Sequence, residues 1–337
     1  MTDIVLLGEA WGEYEERERM AFVGPTGWEL NRMLDQAGIK RSDCYCTNVF
    51  NLKPRGNRIE TLCGTNLDRI PGYPAIGKAG YIHRKYEKEL IRLGEELDEV
   101  NPNVVVALGN TAAWAMLGKT MITKIRGTVQ LSTHTRTGIK VLPTYHPAVI
   151  FRQWSARPTT VMDLVKAKRE ARYPDIVRPK REIWIEPKLE DIHEFNRQFI
   201  QPSARIAVDI ETAGSCITCI GFAPRKDLAI VIPGLGIRRS GKPYWPSLDA
   251  ERQVHKVIKD ILTGPVPKIF QNGLYDISFI WRAWGIRVMN AEEDTMLLHH
   301  ALQPESLKGL GYLGSIYTDE ISWKQMREKH TTIKRDD

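Results

Sequence analysis

Short runs of β-branched and other apolar residues alternate, in the first half of the chain, with longer stretches of helical spacing. The apolar runs predict buried strands over residues 4–7, 44–50 and 104–108, and a pair of short strands over 129–131 and 139–142. Apolar positions three and four residues apart predict helices over residues 26–37, 81–99 and 111–117. This alternation predicts a three-layer α/β domain with its site at the C-terminal ends of the strands.

The second half mixes strands and helices in a different order. Strands are predicted over residues 206–210 and 226–232 and from residue 268, and helices over 189–199, over 251–262 and within 293–302. Residues 173–181 are polar and contain two prolines, which is typical of a linker. We predict a first domain over residues 1–172, a linker over 173–182 and a second α/β domain over 183–337. Residues 13–19 are predicted as an acidic loop and residues 59–79 as an irregular insertion.

Size and composition indicate a soluble protein. The 337 residues are enough for two domains, each with its own core, and the content of 42% hydrophobic and 26% charged residues is typical of globular chains. No apolar run approaches the ~20 residues that a membrane-spanning helix needs. Because the first residues lack a basic region and a cleavage site, we expect a cytoplasmic protein without a membrane partner.

The positive charge is unevenly distributed. The net charge of +7 lies in residues 1–180, since residues 181–337 hold equal numbers of acidic and basic side chains. Most of the excess follows Gly118. A basic surface there fits a polyanion such as DNA, although a solvated basic face is also common in proteins that bind no polyanion.

The five cysteines do not indicate a disulfide framework, because their number is odd and they are clustered. Cys44 and Cys46 lie two apart in a predicted strand and point to one face. Cys216 and Cys219 have the spacing of half a zinc site, but no second pair completes it. We therefore predict free thiols in a reducing compartment.

Two carboxylates share one face of the strand predicted over residues 206–210 and its extension. Asp209 and Glu211 are two residues apart, so their side chains leave an extended chain on the same side. Like charges side by side on a core strand are costly unless a cation holds them, and oxygen ligands suit Mg²⁺ or Mn²⁺. A lone Asp-x-Glu is ordinarily a solvated strand end. Here Asn272 and Asp276 follow another strand tip, and a further helix begins near Asp294 or Thr295 as its cap, which favours the metal site.

These three segments resemble the proofreading 3′→5′ exonuclease domain of family A DNA polymerases. The resemblance is carried by Asp209-x-Glu211, Asn272-x3-Asp276 and the Asp294-Thr-Met helix. It implies an RNase H-like, DnaQ-type fold. It also implies that Asp209, Glu211 and Asp276 bind two divalent metal ions about 3.5–4 Å apart, and that Asn272 contacts the substrate.

One part of the exonuclease pattern is not found. The last motif of that family, a Tyr or His followed by a metal-binding Asp, is due after residues 316–319. Asp336 and Asp337 stand roughly where it is due, without a Tyr four residues before either. We therefore expect the exonuclease site to lack its last carboxylate in this chain.

The predicted strand ends of the first domain resemble the uracil-DNA glycosylase superfamily, family 4 in particular. Five segments occur in the order of that family over residues 4–165: Gly8-Glu-Ala-x-Gly12, Phe22-Val-Gly24-x2-Gly27, Thr47-Asn48-Val49 with the Pro54-Arg-Gly-Asn-Arg58 loop, Leu108-Gly109-Asn110 and His146-Pro147.

This second resemblance implies a role for four side chains. Glu9 would orient or activate water, or stabilise the oxocarbenium-like sugar, and Phe22 would stack on a flipped base. Asn48 would bind the Watson–Crick edge of that base, and His146 would donate to its O2 as negative charge develops. Taken singly, each has an ordinary alternative: a helix cap for Glu9, a core residue for Phe22, a turn brace for Asn48 and a satisfied loop histidine for His146. Their occurrence together favours a functional pocket.

Two departures from family 4 bear on activity rather than fold. Trp11 stands where that family commonly has Pro, which changes the pocket wall. The four iron–sulfur cysteines of the family cannot be assembled from the five cysteines here, so we expect no cluster.

Three hypotheses for function remain. The first is a DNA-processing protein, part or subunit of a phage DNA polymerase, whose metal-dependent 3′→5′ exonuclease acts on single-stranded DNA or 3′ ends beside a glycosylase-like DNA-binding domain. Such a protein would work in the host cytoplasm. The second is an active uracil-DNA glycosylase, independent of metal, with an idle exonuclease. The third is a non-catalytic module that binds DNA or docks to a polymerase.

Overall fold

The computed structural model describes residues 3–178, 180–234 and 243–318 of the chain. These residues form two compact units. The first contains the described residues up to Arg178 together with those from Gly311 onward, and the second contains those between, up to Leu310. From the sequence, the residues from Gly311 onward are expected in the second domain instead.

The first unit is built on a mainly parallel sheet. Its helices and strands are β1 (Ile4–Ala10), α1 (Glu13–Glu18), α2 (Pro25–Ala37), β2 (Cys44–Phe50), β3 (Cys63–Gly64), β4 (Tyr81–Ile82), α3 (Glu87–Val100), β5 (Val104–Leu108), α4 (Asn110–Leu117), α5 (Ile122–Ile125), β6 (Gln130–Leu131), β7 (Lys140–Thr144), α6 (Pro147–Ile150) and α7 (Ala156–Glu170). The strand order is β2-β1-β5-β7-β6, in which only β6 runs antiparallel to its neighbour. The C-terminal ends of β1, β2, β5 and β7 therefore meet at one edge.

Both faces of this sheet are buried, as its continuous apolar strands predict. One face packs Val5, Leu7 and Val105 against side chains of α3 and α4, including Leu93 and Trp114. The opposite face packs residues of the same strands, Leu6 among them, against α2 and α7. The three-layer architecture predicted from the sequence is confirmed.

Two local predictions for the first unit were wrong. Residues 13–18, predicted as an acidic loop, form α1, because Glu15 is buried and accepts hydrogen bonds from the amides of Gly12 (3.2 Å) and Gly24 (3.1 Å). The helix predicted from residue 81 begins at Glu87, because Tyr81 and Ile82 pair with β3 instead. In both places a contact distant in sequence overrides the local pattern.

The second unit is a mixed sheet covered on one face. Its helices and strands are β8 (Glu182–Ile185), α8 (Leu189–Phe195, continued by a π-helical turn over Asn196–Ile200), β9 (Ile206–Ala213), β10 (Cys216–Arg225), β11 (Leu228–Pro233), α9 (Leu248–Thr263), β12 (Lys268–Phe270), α10 (Gly273–Trp284), β13 (Ala291–Asp294) and α11 (Thr295–Leu302). The strand order is β13-β12-β9-β10-β11-β8, with β9, β10 and β11 antiparallel and β12 and β13 parallel to β9.

The alternation along β9 sorts its side chains between core and solvent. Ile206, Val208 and Ile210 point into a core shared with α8, α9 and α10, whereas Asp209 and Glu211 lie on the opposite face. This meander followed by parallel strands agrees with the predicted RNase H-like arrangement. The fold class, α/β in both units, is confirmed.

A last helix, α12 (Leu310–Tyr317), brings the chain back to the first unit from Gly311 onward. Leu313 and Ser315 are its buried residues. Within the described ranges, no helix is both long and apolar enough to cross a membrane.

The core of the second unit gives a direct test of this packing. Phe222 on β10 is fully buried, so Phe222→Ala should lower the free energy of unfolding of this unit by about 3–5 kcal/mol, through lost burial and the cavity left behind. Urea denaturation followed by tryptophan fluorescence measures the loss. Leu248, 73% exposed at the start of α9, provides the control: Leu248→Ala should change stability by no more than about 0.5 kcal/mol. Equal losses in the two variants would contradict the described core.

Candidate active sites

A cavity of about 370 Å³ lies at the C-terminal edge of the first sheet. Its lining includes Glu9, Phe22, Asn48 and His146, the four side chains singled out from the sequence. Glu9 lies next to the last residue of β1, Asn48 lies on β2 and His146 follows β7, so parallel strands supply three of the four. Such an edge is the common ligand-binding position of open α/β sheets.

The Glu9 carboxylate is held by a hydroxyl group of α4. The hydroxyl of Thr111, a buried residue in the first turn of α4, donates a hydrogen bond to Glu9 Oε2. Burial raises the pKa of Glu9 above its ordinary value of 4.5, the Thr111 hydroxyl opposes that rise, and the nearby charge of Glu60 adds to it. The carboxylate is therefore fixed in position and is a stronger base than a solvated glutamate.

The Asn48 side chain packs against the backbone of Gly8, which has no side chain. A Cβ at Gly8 would come within 2.1 Å of Asn48 Oδ1 and 2.6 Å of Phe22 Cζ, so only glycine fits beneath these two side chains. Gly8 and Asn48 are direct partners in the parallel register of β1 and β2. Arg92 on α3 anchors the end of β2, since its guanidinium donates to the carbonyls of Asn48 (2.8 Å) and Val49 (3.1 Å). The side chain of Asn48 is thus packed against Gly8, and its backbone is held by Arg92.

Phe22 is held in an unusual backbone conformation. Its φ of +58° is in the left-handed region, which a bulky residue rarely adopts. A Cβ at Gly27 would lie 1.8 Å from the Phe22 carbonyl oxygen, so glycine there is required by the close approach. Arg41 donates to the Ala21 carbonyl (3.0 Å) and lies 5.9 Å from the centre of the Phe22 ring. Strain of this kind persists where surrounding contacts enforce it, and functional sites are common places for it.

His146 presents a neutral donor to the cavity. The Ala148 amide donates to His146 Nδ1 (3.2 Å), which places the imidazole proton on Nε2. Burial, together with the positive charge of Arg152, lowers the pKa of His146 to about 4. The ring is therefore uncharged at neutral pH, and its centre lies 6.2 Å from that of Phe22.

A second group of titratable residues lies on the open face of the second sheet. Asp276 is buried in the first turn of α10 and accepts a hydrogen bond from the backbone amide of Ile210 (3.3 Å). Ile210 is the residue between Asp209 and Glu211. Burial and the charge of Asp209 raise the pKa of Asp276 to about 6. Burial and the charge of Glu211 likewise raise the pKa of Asp209. The charge of Asp209 therefore acts on Asp276, and the charge of Glu211 acts on Asp209.

Asn272 and Asp294 form the support behind this group. Asp294 caps α11 through the Met296 amide (2.8 Å), which settles the choice of cap left open by the sequence. Its carboxylate also accepts from the amides of Asn272 (3.1 Å) and Gly273 (2.7 Å), at the start of α10. Asn272 itself has a φ of +60° and lies four residues before Asp276. One carboxylate thus fixes the helix that carries Asp276.

The donor set fits a hard divalent cation. No three His, Cys, Asp or Glu side chains in the described ranges are grouped to hold a metal as they stand. Like charge nevertheless contributes to the raised pKa of Asp209 and of Asp276, and a divalent cation would relieve that repulsion. Carboxylate oxygens suit Mg²⁺ or Mn²⁺. Asp336 and Asp337, the candidates for the last ligand, lie outside the described residues.

Several residues that shape the first cavity were not predicted from the sequence. Thr111, Glu15 and Arg152 were not assigned to it, although Glu15 and Arg152 line it and Thr111 bonds Glu9. Thr111 directly follows the Leu108-Gly109-Asn110 segment, so its place just beyond a strand end was a usable signal. Nothing in the local pattern marks Glu15 as buried.

The hydrogen bond from Thr111 makes a measurable difference to Glu9. Thr111→Val removes the donor and should raise the pKa of Glu9 further, whereas Thr111→Ser keeps the hydroxyl and should leave it near that of the unaltered protein. A carbon-detected NMR titration of the Glu9 carboxyl measures both. An unchanged Glu9 pKa in Thr111→Val would show that the hydroxyl does not act on this carboxylate.

Comparison with known proteins separates the two units. The model of the family described as "Uracil DNA glycosylase superfamily" matches residues 1–171. A type-4 uracil-DNA glycosylase of Thermotoga maritima is 34% identical over 171 residues, which cover 50% of this chain and 77% of that protein. A DNA polymerase of Bacillus phage SP01 is 23% identical over 321 residues, covering 88% of this chain but 32% of that polymerase.

Similarity to solved structures is low. The structure of Escherichia coli RNase D covers 46% of this chain and 39% of its own, with 14% identity and a TM-score of 0.31. A likeness at that score does not assign the second unit to a family. The second unit is therefore described by its own sheet order and carboxylates. For the first unit, the fold, the family match over 171 residues and the Thermotoga relative agree: the chain belongs to the uracil-DNA glycosylase superfamily.

Proposed function

We propose that the cavity of the first unit removes uracil from DNA. The observation that carries the proposal is that one cavity of about 370 Å³ is lined by an aromatic ring, a fixed amide, a neutral imidazole donor and a carboxylate. A volume of this size suits a small ligand such as a flipped base. The activity named for the type-4 relatives supports the assignment.

The reaction assigns a task to each side chain. The bond between C1′ and the base nitrogen breaks, the electron pair leaves on uracil, and water adds to C1′ to give an abasic site. Phe22 stacks on the base and Asn48 binds its edge, while His146 Nε2–H donates to O2 as negative charge develops there. Glu9 orients the water or stabilises the positive charge on the sugar. No step requires a metal ion.

Uracil release should depend on pH through Glu9. The pKa of Glu9 is raised above 4.5, so as pH falls the carboxylate is protonated and release should decline with a midpoint above 4.5. His146, with a pKa of about 4, stays neutral through that range. Glu9→Gln should be slow and lack this acid limb. His146→Gln should reduce the rate by about 10²–10³-fold, the usual effect of losing one donor to a developing anion.

The measurement uses a labelled oligonucleotide with a single uracil, cleaved by alkali after incubation in EDTA. His83 offers a matched control, because its Nδ1 also accepts an amide two residues on (Lys85, 3.1 Å) but its side chain is not in the cavity lining. His83→Gln should release uracil normally. Equal activity in His146→Gln and His83→Gln, or no release in any buffer, would refute the assignment.

We infer a second activity, metal-dependent 3′→5′ exonuclease, for the second unit. The observation that favours it is Asp276, buried beside the strand that carries Asp209 and Glu211 and carrying a pKa raised to about 6 by burial and by Asp209. Asp209, Glu211 and Asp276 would hold the metal ions. When bound, a pair of divalent ions supplies hydroxide and stabilises the leaving 3′ oxygen. Asp294 keeps Asp276 in position through the start of α10.

Shortening of a 5′-labelled single strand from its 3′ end tests this activity. Trimming should require Mg²⁺ or Mn²⁺, and Asp209→Asn or Asp276→Asn should reduce it by at least 10²-fold, since each removes a metal-binding charge. Asp260 on α9 pairs with Lys256 at the surface, so Asp260→Asn should trim like the unaltered protein. Full metal-dependent trimming in Asp209→Asn would contradict the assignment.

We further propose that both activities belong to a DNA polymerase. One relative, the phage SP01 polymerase, is similar over 321 residues that run through both units. This supports a chain that acts on DNA as part or subunit of a phage-type polymerase. Salt-sensitive DNA binding without uracil release or trimming would instead favour the non-catalytic docking module.

A further inference from the structure

The helix α12 packs within the first unit although it lies far outside the residues of the family match. The glycosylase family model ends at residue 171, while α12 begins at Leu310. From Gly311 onward its described residues group with the first unit. This part of the unit is therefore an addition to the matched region rather than a part of it.

The contacts of α12 are centred on a buried ion pair. Arg126 and Asp163 are 3% and 1% exposed, and the Arg126 guanidinium donates to both Asp163 oxygens. Its remaining terminal nitrogen donates to Ser315 Oγ of α12 (2.9 Å), and the guanidinium lies 5.4 Å from the centre of the Tyr312 ring. The helix thus supplies an acceptor that the buried guanidinium needs.

A second cation and a hydroxyl pair complete the docking. Lys166, also buried, donates to the carbonyl oxygens of Gly127 (2.8 Å), Ser315 (2.7 Å) and Thr318 (2.8 Å). The hydroxyls of Thr159 and Tyr312 share a hydrogen bond of 2.6 Å. Because buried charges are stabilised by each partner they gain, the contacts of Arg126 and Lys166 with α12 favour its docked position.

The same ion pair reaches the strand that leads to the cavity. Asp163 Oδ2 accepts a hydrogen bond from the Thr144 hydroxyl (2.6 Å), at the end of β7 and two residues before His146. The Thr144 carbonyl accepts from the Gly109 amide (2.9 Å), next to Asn110 in the cavity lining. A chain of polar contacts therefore runs from Ser315 through Arg126 and Asp163 to Thr144, two residues before His146.

We propose that α12 is a latch that fixes the end of β7, and with it His146, from a segment that follows the second unit in the chain. Ser315, Arg126 and Asp163 are positioning residues in this arrangement. Undocking of α12 leaves the guanidinium of Arg126 without one of its acceptors, and the ion pair that holds Thr144 loosens. The stiffness of the cavity wall then depends on residues outside the glycosylase-family region.

Hydrogen exchange on the full chain tests the latch without requiring any catalysis. Ser315→Ala removes the acceptor and Tyr312→Phe removes the Thr159 contact, and neither adds bulk. Each should speed amide exchange about ten-fold in the peptides that cover α12 and residues 139–150, the effect of losing roughly one hydrogen bond of this type. Exchange in β9 of the second unit should not change.

Thr318→Ala is the control, because it keeps the carbonyl that Lys166 binds and removes a hydrogen bond internal to the helix end, from the Thr318 hydroxyl to the Gly314 carbonyl (2.7 Å). It should leave exchange in residues 139–150 unaltered. Faster exchange in α12 without any change in residues 139–150 would overturn the latch, and so would unaltered exchange in α12 itself. Uracil release by the same variants is a separate measurement, so an inactive cavity would refute the proposed activity and leave the exchange result standing.

Discussion

The parallel register between β1 and its neighbours is the constraint on which the first cavity depends. Gly8 faces Asn48 across β1 and β2, and Leu7 faces Ala107 across β1 and β5. A slip of one residue would turn every side chain of a strand to the other face, so the apolar residues that bury the sheet also determine where Asn48 points. The polar residues that follow the strands are then collected at one edge by the packing of the core.

Burial shifts the pKa of the titratable groups in both sites, upward for the acids and downward for the histidine. It raises the pKa of Glu9 and lowers that of His146 within one cavity, so that the imidazole is uncharged near neutral pH. In the second unit burial and a like charge together raise the pKa of Asp276. The second site thus concentrates negative charge that a divalent ion would relieve.

The chain also shows how a family domain can be extended. The matched region ends at residue 171, yet the polar cluster around Arg126 and Asp163 takes an acceptor from Ser315, over a hundred residues further on. The second unit is therefore inserted between two stretches of chain that pack together.

The sequence by itself determined most of the longer strands, the fold class and the candidate residues. β2 and β5 occur at the predicted bounds, because a short run rich in apolar residues between turns has few other stable conformations. The same alternation predicted that Asp209 and Glu211 would share a face. Tertiary structure alone decided the rest: that α1 forms around buried Glu15, that Thr111 holds Glu9, and that α12 returns to the first unit. Each of these depends on a polar contact with a residue outside the segment itself, and periodicity, which reports burial along one segment, carries no record of such a partner.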